Sequence, residues 1–151
     1  TGDLEGEVIE ERAVTNISQK DIANACEKMV GTHMLKVPAY SAIKVNGKRL
    51  YKSARSGTLD ENIIPEKEMV VSECRLCDIR SRDNRMEADI VFSVSSGTYI
   101  RSLGEYLGEL LKVPATLCNL RRTKVGEFDI TDAEELDLSS WEKRDFRQSL
   151  K

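Results

Sequence analysis

The sequence MEADIVFSV, residues 86–94, decides the fold. Apolar side chains occupy every second position of this stretch, and mostly polar ones lie between them. Successive side chains of a strand point to opposite faces of a sheet, so this period of two predicts a half-buried strand. A sheet with one face on the core and one in water is typically antiparallel. The residues expected to face the core are Met86, Ala88, Ile90, Phe92 and Val94.

Helices are expected before and after this strand along the chain. Upstream, residues 18–21 (SQKD) form a capping box of the acidic kind, which predicts a helix start. Downstream, the apolar residues from Ile100 to Leu111 recur at helical spacing and predict a second helix, with Pro114 after its end. Another capping box, at residues 131–134, predicts a short acidic helix.

The remaining segments predict further strands. Residues 68–80 are rich in β-branched and apolar side chains, and residues 117–128 are a second strand candidate. Residues 6–14 are interpreted as a strand or an extended entry into the domain. The order of these elements predicts an α+β fold with a mostly antiparallel sheet and flanking helices.

A hairpin is predicted around the pair Asn46-Gly47. Short strand-like runs lie on both sides of the pair, and a type I′ turn requires positive φ at both central residues, which Asn and Gly tolerate best. Residues 51–56 would then form one or two helical turns that end at Gly57. A hairpin followed by a short helix is therefore expected in this segment.

This hairpin lies in a strongly basic segment of an acidic chain. The formal net charge is −3, yet residues 36–57 carry only basic charges. A cluster of one sign favours phosphate, because each contact releases counterions, and tyrosines can stack on unpaired bases. A solvated basic loop is the alternative interpretation. The six cations are Lys36, Lys44, Lys48, Arg49, Lys52 and Arg55, with Tyr40 and Tyr51 among them.

Length and composition fit a globular protein of one domain. The chain has 151 residues, of which 40% are hydrophobic and 32% charged, with only 3 prolines. No apolar run approaches the ~18 residues of a membrane span, so no membrane association is expected. No secretory leader is recognisable, and the chain starts at Thr1 instead of Met. That start is typical of the interior of a longer protein.

The cysteines favour reduced thiols over a metal site. Cys74 and Cys77 have the spacing of a zinc knuckle, but a structural zinc needs four ligands, and His33 is the only histidine. Cys26 and Cys118 do not supply a second pair of that spacing. We therefore expect mostly buried, reduced thiols and no metal, which fits a cytoplasmic protein.

Three stretches together resemble the TruB family of tRNA pseudouridine synthases. They are VPAYSAIKVNGKRLYKSARSG at residues 37–57, SGTYIRSLG at residues 96–104 and LRRTKVG at residues 120–126. The opening DLEGEVIE, residues 3–10, also resembles the segment that precedes these motifs in the family. The resemblance covers residues 3 to about 136, and the first motif is the most specific.

The resemblance implies a reaction, a partner and no cofactor. Members of the family isomerise the conserved T-arm uridine of tRNA to pseudouridine. The base must leave its stack first, because its reacting face is otherwise covered. An aspartate then starts the reaction at the ribose–base linkage, and the uracil is rotated and rejoined through carbon. The expected partner is therefore the T-arm stem-loop of tRNA.

The resemblance also assigns roles to individual residues. Arg101 matches the active-site arginine that pairs with the catalytic aspartate, Tyr99 would stack on or cover the target base, and Leu120 would pack on the uracil. Residues 37–67 match an insertion that closes over the T-arm as a thumb. The residues expected to contact RNA are Tyr40, Lys44, Lys48, Arg49, Tyr51, Arg55, Arg121 and Arg122.

The catalytic aspartate of the family has no counterpart in this chain. It belongs to a Gly-x-Leu-Asp-Pro-x-Ala-x-Gly motif that precedes everything described above. Asp60 copies the first half of that motif, but it follows the thumb, so we reject it. We therefore interpret residues 1–136 as part of a catalytic domain and residues 137–151 as a polar tail, and we expect the chain alone to be inactive.

Two other functions stay open at this level. The chain could be a non-catalytic RNA-binding module derived from such an enzyme, or a protein-interaction domain whose basic hairpin meets an acidic partner. If the chain is a truncated domain, a sheet that lacks neighbouring strands would leave an edge that can recruit another chain. Self-association without a physiological role is therefore a further expectation.

Overall fold

The computed structural model describes residues 2–14, 16–45, 47–82 and 85–134. The chain consists of two compact units, Thr1–Asn119 and Leu120–Lys151. The first contains three α-helices and a three-stranded antiparallel sheet within the described residues, which confirms the predicted α+β class. Its helices are α1 (Gln19–Met29), α2 (Leu50–Arg55) and α3 (Ile100–Leu111), and its strands are β1 (Gly31–Lys36), β2 (Lys44–Val45), β3 (Lys48–Arg49), β4 (Glu66–Arg82) and β5 (Arg85–Val94).

The sheet has the order β1-β4-β5, with β4 in the centre and antiparallel to both neighbours. Along β5 the side chains alternate between half-buried and exposed, and the set that begins at Met86 is the half-buried one. The period of two therefore predicted this strand and its inner face correctly. The β4–β5 ladder has two irregularities, between Val71 and Glu73 and between Leu76 and Asp78. Such bulges increase the local twist of a hairpin.

The core lies where both long helices meet the inner face of the sheet. Met29 of α1, Val71 of β4 and Leu103 of α3 are each at most 1% exposed and form its centre. The predicted capping box starts α1: the Asp21 amide donates to Ser18 Oγ, and the Ser18 amide donates to the Asp21 carboxylate at 2.8 Å. The apolar face of α3 was likewise predicted from its spacing, and Leu107 and Leu110 pack against the core.

Strand β1 was not predicted from the sequence. Its residues GTHMLK alternate between half-buried and exposed, but a histidine occupies an inward position and hides the pattern. His33 is accommodated because its Nε2 lies 2.9 Å from the Met29 carbonyl oxygen and its ring lies 5.0 Å from that of Tyr106. A polar side chain with local partners is therefore compatible with a core position.

The second unit differs from the predictions for residues 117–134. Instead of one strand over residues 117–128, it has a short hairpin, β6 (Lys124–Val125) with β7 (Phe128–Asp129), in which Gly126 has φ +58°. The expected capping box at residues 131–134 is also wrong, because Asp129 caps a 3₁₀ turn at Ile130–Asp132 instead. The tail predicted at residues 137–151 lies outside the described residues.

The four thiols are free. We expected most of them to be buried, and that prediction is wrong. Cys26 is buried and Cys74 is half-buried, whereas Cys77 and Cys118 are exposed. Burial raises the pKa of Cys26, and burial together with a hydrogen bond to the Cys26 thiol raises the pKa of Cys74 to about 12. Cys74 is therefore a partner of Cys26 on α1, not of Cys77, with which it had been compared as a zinc knuckle.

Candidate functional site

Arg101 lies in the first turn of α3 and joins three separate parts of the chain. Its Nη1 is 3.2 Å from Asp3 Oδ2, and its Nη2 donates to the backbone carbonyl of Tyr40 at 3.1 Å. The Arg101 and Asp3 side chains are 24% and 26% exposed. Within this chain Arg101 therefore has a carboxylate partner in the opening segment, which is distinct from the catalytic aspartate that the resemblance assigns to it.

Asp3 is the functional candidate that sequence reasoning did not assign. The signal was present, since the opening DLEGEVIE segment was part of the family resemblance, but no role had been given to its aspartate. Asp3 forms an isolated parallel bridge with Leu117, and the Leu117 amide donates to the Gly2 carbonyl at 3.2 Å. Gly2, with φ +75°, allows the backbone to pass close to the Arg101 side chain.

A tight turn places the start of α3. The Thr98 amide donates to the Ser95 carbonyl at 3.3 Å, and Gly97 between them has φ +76°, a conformation that favours glycine. Tyr99 is the N-cap of α3, without a side-chain capping bond. One turn further on, the buried Ser102 hydroxyl donates to the Lys36 carbonyl at 2.7 Å and ties α3 to the end of β1. Both Tyr99 and Arg101 are therefore held at one end of the sheet.

The side chain of Tyr99 has a cation beside it. Lys67 Nζ lies 5.9 Å from the centre of the Tyr99 ring, within the range of a cation–π interaction. Tyr99 itself is half-buried, so part of its ring stays accessible. Tyr99, the predicted base-stacking residue, and Arg101 thus lie together at the N-terminus of α3.

The predicted basic hairpin is present as β2 and β3, with Val45 opposite Lys48. Asn46 lies outside the described residues, whereas Gly47 has φ +79°, as a hairpin turn of this length requires. Helix α2 follows directly, because the buried Leu50 anchors it and its amide donates to the Ile43 carbonyl at 2.8 Å. The hairpin and α2 are therefore one packed piece.

Cations of the hairpin and α2 line a shared open groove of about 630 Å³. Their side chains come from both strands and from the helix, so the groove combines charge with a defined shape. The lining cations are Lys44, Lys48, Arg49 and Lys52. Among the described residues none of these four forms an ion pair with a carboxylate, so the positive charge of the groove is not neutralised.

The other predicted contact residues have separate positions. Arg55 lies over the Tyr51 ring, 5.5 Å from its centre, so Tyr51 is partly engaged within α2. Tyr40 is 38% exposed at the base of the hairpin, and its carbonyl accepts from Arg101. The base of the hairpin and the start of α3 are thereby linked through one guanidinium.

Leu120, Arg121 and Arg122 belong to the second unit, where all three are exposed. Leu120 is 59% exposed. Their predicted roles beside the uracil and the RNA stay predictions.

Asp60, which had been rejected as a catalytic residue, has a structural role. Its Oδ1 accepts from the Asn62 amide at 2.9 Å and so caps the 3₁₀ turn Glu61–Ile63. The hydrogen bond of Asp60 thus explains this carboxylate without a catalytic role.

No group of three potential metal ligands among His, Cys, Asp and Glu was found in the described residues. Likewise, no described helix combines the length and apolarity needed to cross a bilayer.

Comparisons with known proteins identify the family of this chain. Residues 1–100 match the family model described as TruB family pseudouridylate synthase (N terminal domain). Proteins named tRNA pseudouridine synthase B are 35% identical over 149 residues in Staphylococcus saprophyticus and 37% identical over 139 residues in Leifsonia xyli. A third, from Corynebacterium aurimucosum, is 39% identical over 137 residues.

These alignments cover 96%, 90% and 91% of this chain but 48%, 45% and 46% of the relatives. The chain thus spans about half the length of the curated relatives it matches. The family-model match covers more than half of the chain and includes Asp3, and it ends one residue before Arg101. The chain belongs to the TruB family.

Proposed function

We propose that this chain is the part of a tRNA pseudouridine synthase that grips the T-arm and orients the active site. The observation that carries the proposal is the node at Arg101. One guanidinium binds the Asp3 carboxylate and the Tyr40 carbonyl at the base of the basic hairpin. The RNA-gripping hairpin and the start of α3 are therefore mechanically joined, so RNA held by one is presented to the other.

The chemistry proposed for the complete enzyme is isomerisation of the T-arm uridine to pseudouridine by base flipping. The groove of four cations would bind phosphates of the T-arm, and Tyr99 would hold the flipped uracil. Arg101 would orient the catalytic aspartate, whose motif is not in this sequence. Unlike a phosphate-binding cation at the surface, Arg101 is partly desolvated, which strengthens its interaction with a carboxylate.

A test of turnover separates the enzyme from its fragment. We expect T-arm RNA labelled with tritium at the uracil C5 to release tritium with the full-length gene product and not with the 151-residue chain. Release by the chain alone would contradict the proposed inactivity of the fragment. Absence of release by the full-length protein would contradict the enzymatic function.

A second candidate is a non-catalytic RNA-binding module. The unneutralised groove supports it, because phosphate binding needs no aspartate. A T-arm stem-loop should then bind with an affinity that falls steeply with salt, in contrast to a protein-interaction domain, which should ignore the RNA. A coding sequence that begins at Thr1 would favour the module, whereas an upstream Gly-x-Leu-Asp-Pro motif would favour the enzyme.

We also propose a cytoplasmic location, where tRNA is the partner, and self-association of the isolated chain. In the described residues β5 is an edge strand of the sheet, and Val91 on its outer face is 41% exposed. Unpaired strand edges recruit other strands. Sedimentation should therefore show a mass that rises with concentration, and a monomer at all concentrations would contradict this.

A further inference from the structure

Lys67 has an unusual position for a lysine. It lies on β4 at the same parity as Met69 and Val71, which are 0% and 1% exposed and face the core. Alternate residues of a strand share a face, so Lys67 points inward at the end of the sheet. Lysines are rarely placed on such a face without a specific partner. The groups that the Lys67 ammonium contacts should therefore account for its position.

The ammonium of Lys67 reaches the loop that precedes α3. Its Nζ donates to the Gly97 carbonyl at 2.9 Å and lies 5.9 Å from the centre of the Tyr99 ring. Within the described ranges no carboxylate forms an ion pair with Lys67, so charge neutralisation does not explain it. The two contacts instead connect the sheet to residues 97–99.

Other bonds hold the two ends of this loop. The Ser95 amide donates to the Val70 carbonyl at 2.9 Å, and Ser95 Oγ accepts from the Val70 amide at 3.3 Å. Thr98 binds Ser95 through its amide at 3.3 Å and through its hydroxyl at 3.2 Å. Lys67 binds the carbonyl of Gly97, in the middle of the loop. The amine of Lys67 also lies close beside Gly97, since a Cβ built there would collide with it. The lysine thus fills the space next to the backbone of Gly97.

We propose that Lys67 is a positioning residue, which fixes the 95–99 loop and the ring of Tyr99 against the target base. This inference rests on the proposed function, in which Tyr99 meets the flipped uracil. An ammonium bound to the carbonyl of Gly97 and to the ring of Tyr99 sets both the backbone and the side chain of the base-stacking residue. A catalytic group held this way needs no reorganisation when the base arrives.

The first test needs no RNA. In the 151-residue chain, Lys67→Met keeps the length of the side chain and removes the charge, and Lys67→Arg keeps the charge. We expect Lys67→Met to raise the amide hydrogen exchange of Thr98 and Tyr99 by about 10-fold or more, because the loop opens locally. It should also shift the ring resonances of Tyr99. Lys67→Arg should stay close to wild type, and Lys20→Met, on the exposed side of α1, should change neither readout.

The second test measures the reaction in the full-length gene product. Lys67→Met should lower kcat about 10- to 100-fold, because a displacement of about 1 Å near the reacting groups is enough for such a loss. KM for the T-arm RNA should change by less than about 3-fold, since the groove on the hairpin is untouched. Lys67→Arg should recover most of kcat.

The two tests separate the inference from the function on which it rests. A wild-type protein that makes no pseudouridine would contradict the proposed function, whereas the exchange data would still decide whether Lys67 fixes the loop. An active enzyme whose kcat is unchanged by Lys67→Met would overturn the inference alone. Unchanged exchange at Thr98 and Tyr99 in Lys67→Met would overturn it as well.

Discussion

Arg101 and Asp3 form an ion pair with 3.2 Å between Nη1 and Oδ2, although 98 residues separate them in the sequence. Both side chains are only about one quarter exposed. The pair ties the opening segment to the start of α3, and the same guanidinium holds the Tyr40 carbonyl. The opening segment therefore supplies a side chain to the candidate site.

The strength of this pair can be measured with a double-mutant cycle on Asp3→Asn and Arg101→Gln. Partial burial makes the pair stronger than a surface salt bridge, and we expect a coupling energy of about 1 to 2 kcal/mol in urea unfolding. Arg80 and Asp89 supply a matched control, because they form an exposed pair with bonds of 2.9 Å and should couple more weakly. Equal coupling in the two pairs would contradict a special role for the Asp3–Arg101 pair.

The groove on the hairpin should determine the salt dependence of RNA binding. Each of Lys48→Ala and Lys52→Ala should reduce the slope of log K against log salt concentration by about 1, because one phosphate contact is lost. The measurement is fluorescence anisotropy with a T-arm stem-loop at several salt concentrations. Lys20→Ala removes the same charge from α1 and should leave the slope unchanged. Equal effects of all three substitutions would indicate non-specific attraction instead of a groove.

Two buried serines should respond to alanine with opposite signs. Ser41 is 5% exposed, and its Oγ has no hydrogen-bond partner among the described residues. Ser102 is 4% exposed, and its Oγ donates to the Lys36 carbonyl at 2.7 Å. An unpaired buried hydroxyl costs free energy, whereas loss of a donor leaves the carbonyl unpaired.

Ser41→Ala should therefore raise the free energy of unfolding of the chain by about 1 kcal/mol, and Ser102→Ala should lower it by about 1 to 2 kcal/mol. Thermal and chemical unfolding both report this difference. Destabilisation by Ser41→Ala would show that its hydroxyl is paired in solution.

Stability should fall with pH above the ordinary cysteine pKa. The pKa of Cys74 is raised from 9.0 to about 12 by burial and by the Cys26 thiol. Between about pH 9 and pH 12 the unfolded chain has lost this proton and the folded chain keeps it, so the free energy of unfolding decreases as pH rises. Cys74→Ala should flatten this decrease in chemical unfolding measured across the window.

The exposed thiols supply the control. Thiolates are the reactive form, so Cys77 and Cys118 should react with a thiol reagent at pH 8 before Cys74 does. A Cys74 that reacts as fast as Cys77 would contradict its raised pKa.

Features that depend on neighbouring residues could be predicted from the sequence. The capping box at Ser18, the alternation along β5 and the basic hairpin around Gly47 all follow from short-range geometry, so their patterns are visible in a few residues. Even here, two local patterns gave the wrong element, because another nearby group supplied a hydrogen-bond partner. The inward histidine of β1 hides a strand, and Asp129 replaces the capping box expected at residues 131–134.

By itself, the sequence determined the α+β class, the family resemblance and the basic segment, and it gave Arg101 as a candidate for the site. Only the tertiary structure decided which groups meet there. Asp3 contacts Arg101, which is 98 residues away in the sequence. Lys67, on β4, contacts the loop that precedes Tyr99. The thiol partner of Cys74 is Cys26, on α1. These contacts depend on how the elements pack, and a ladder register or a helix crossing is a property of the whole fold, which no short window of sequence contains.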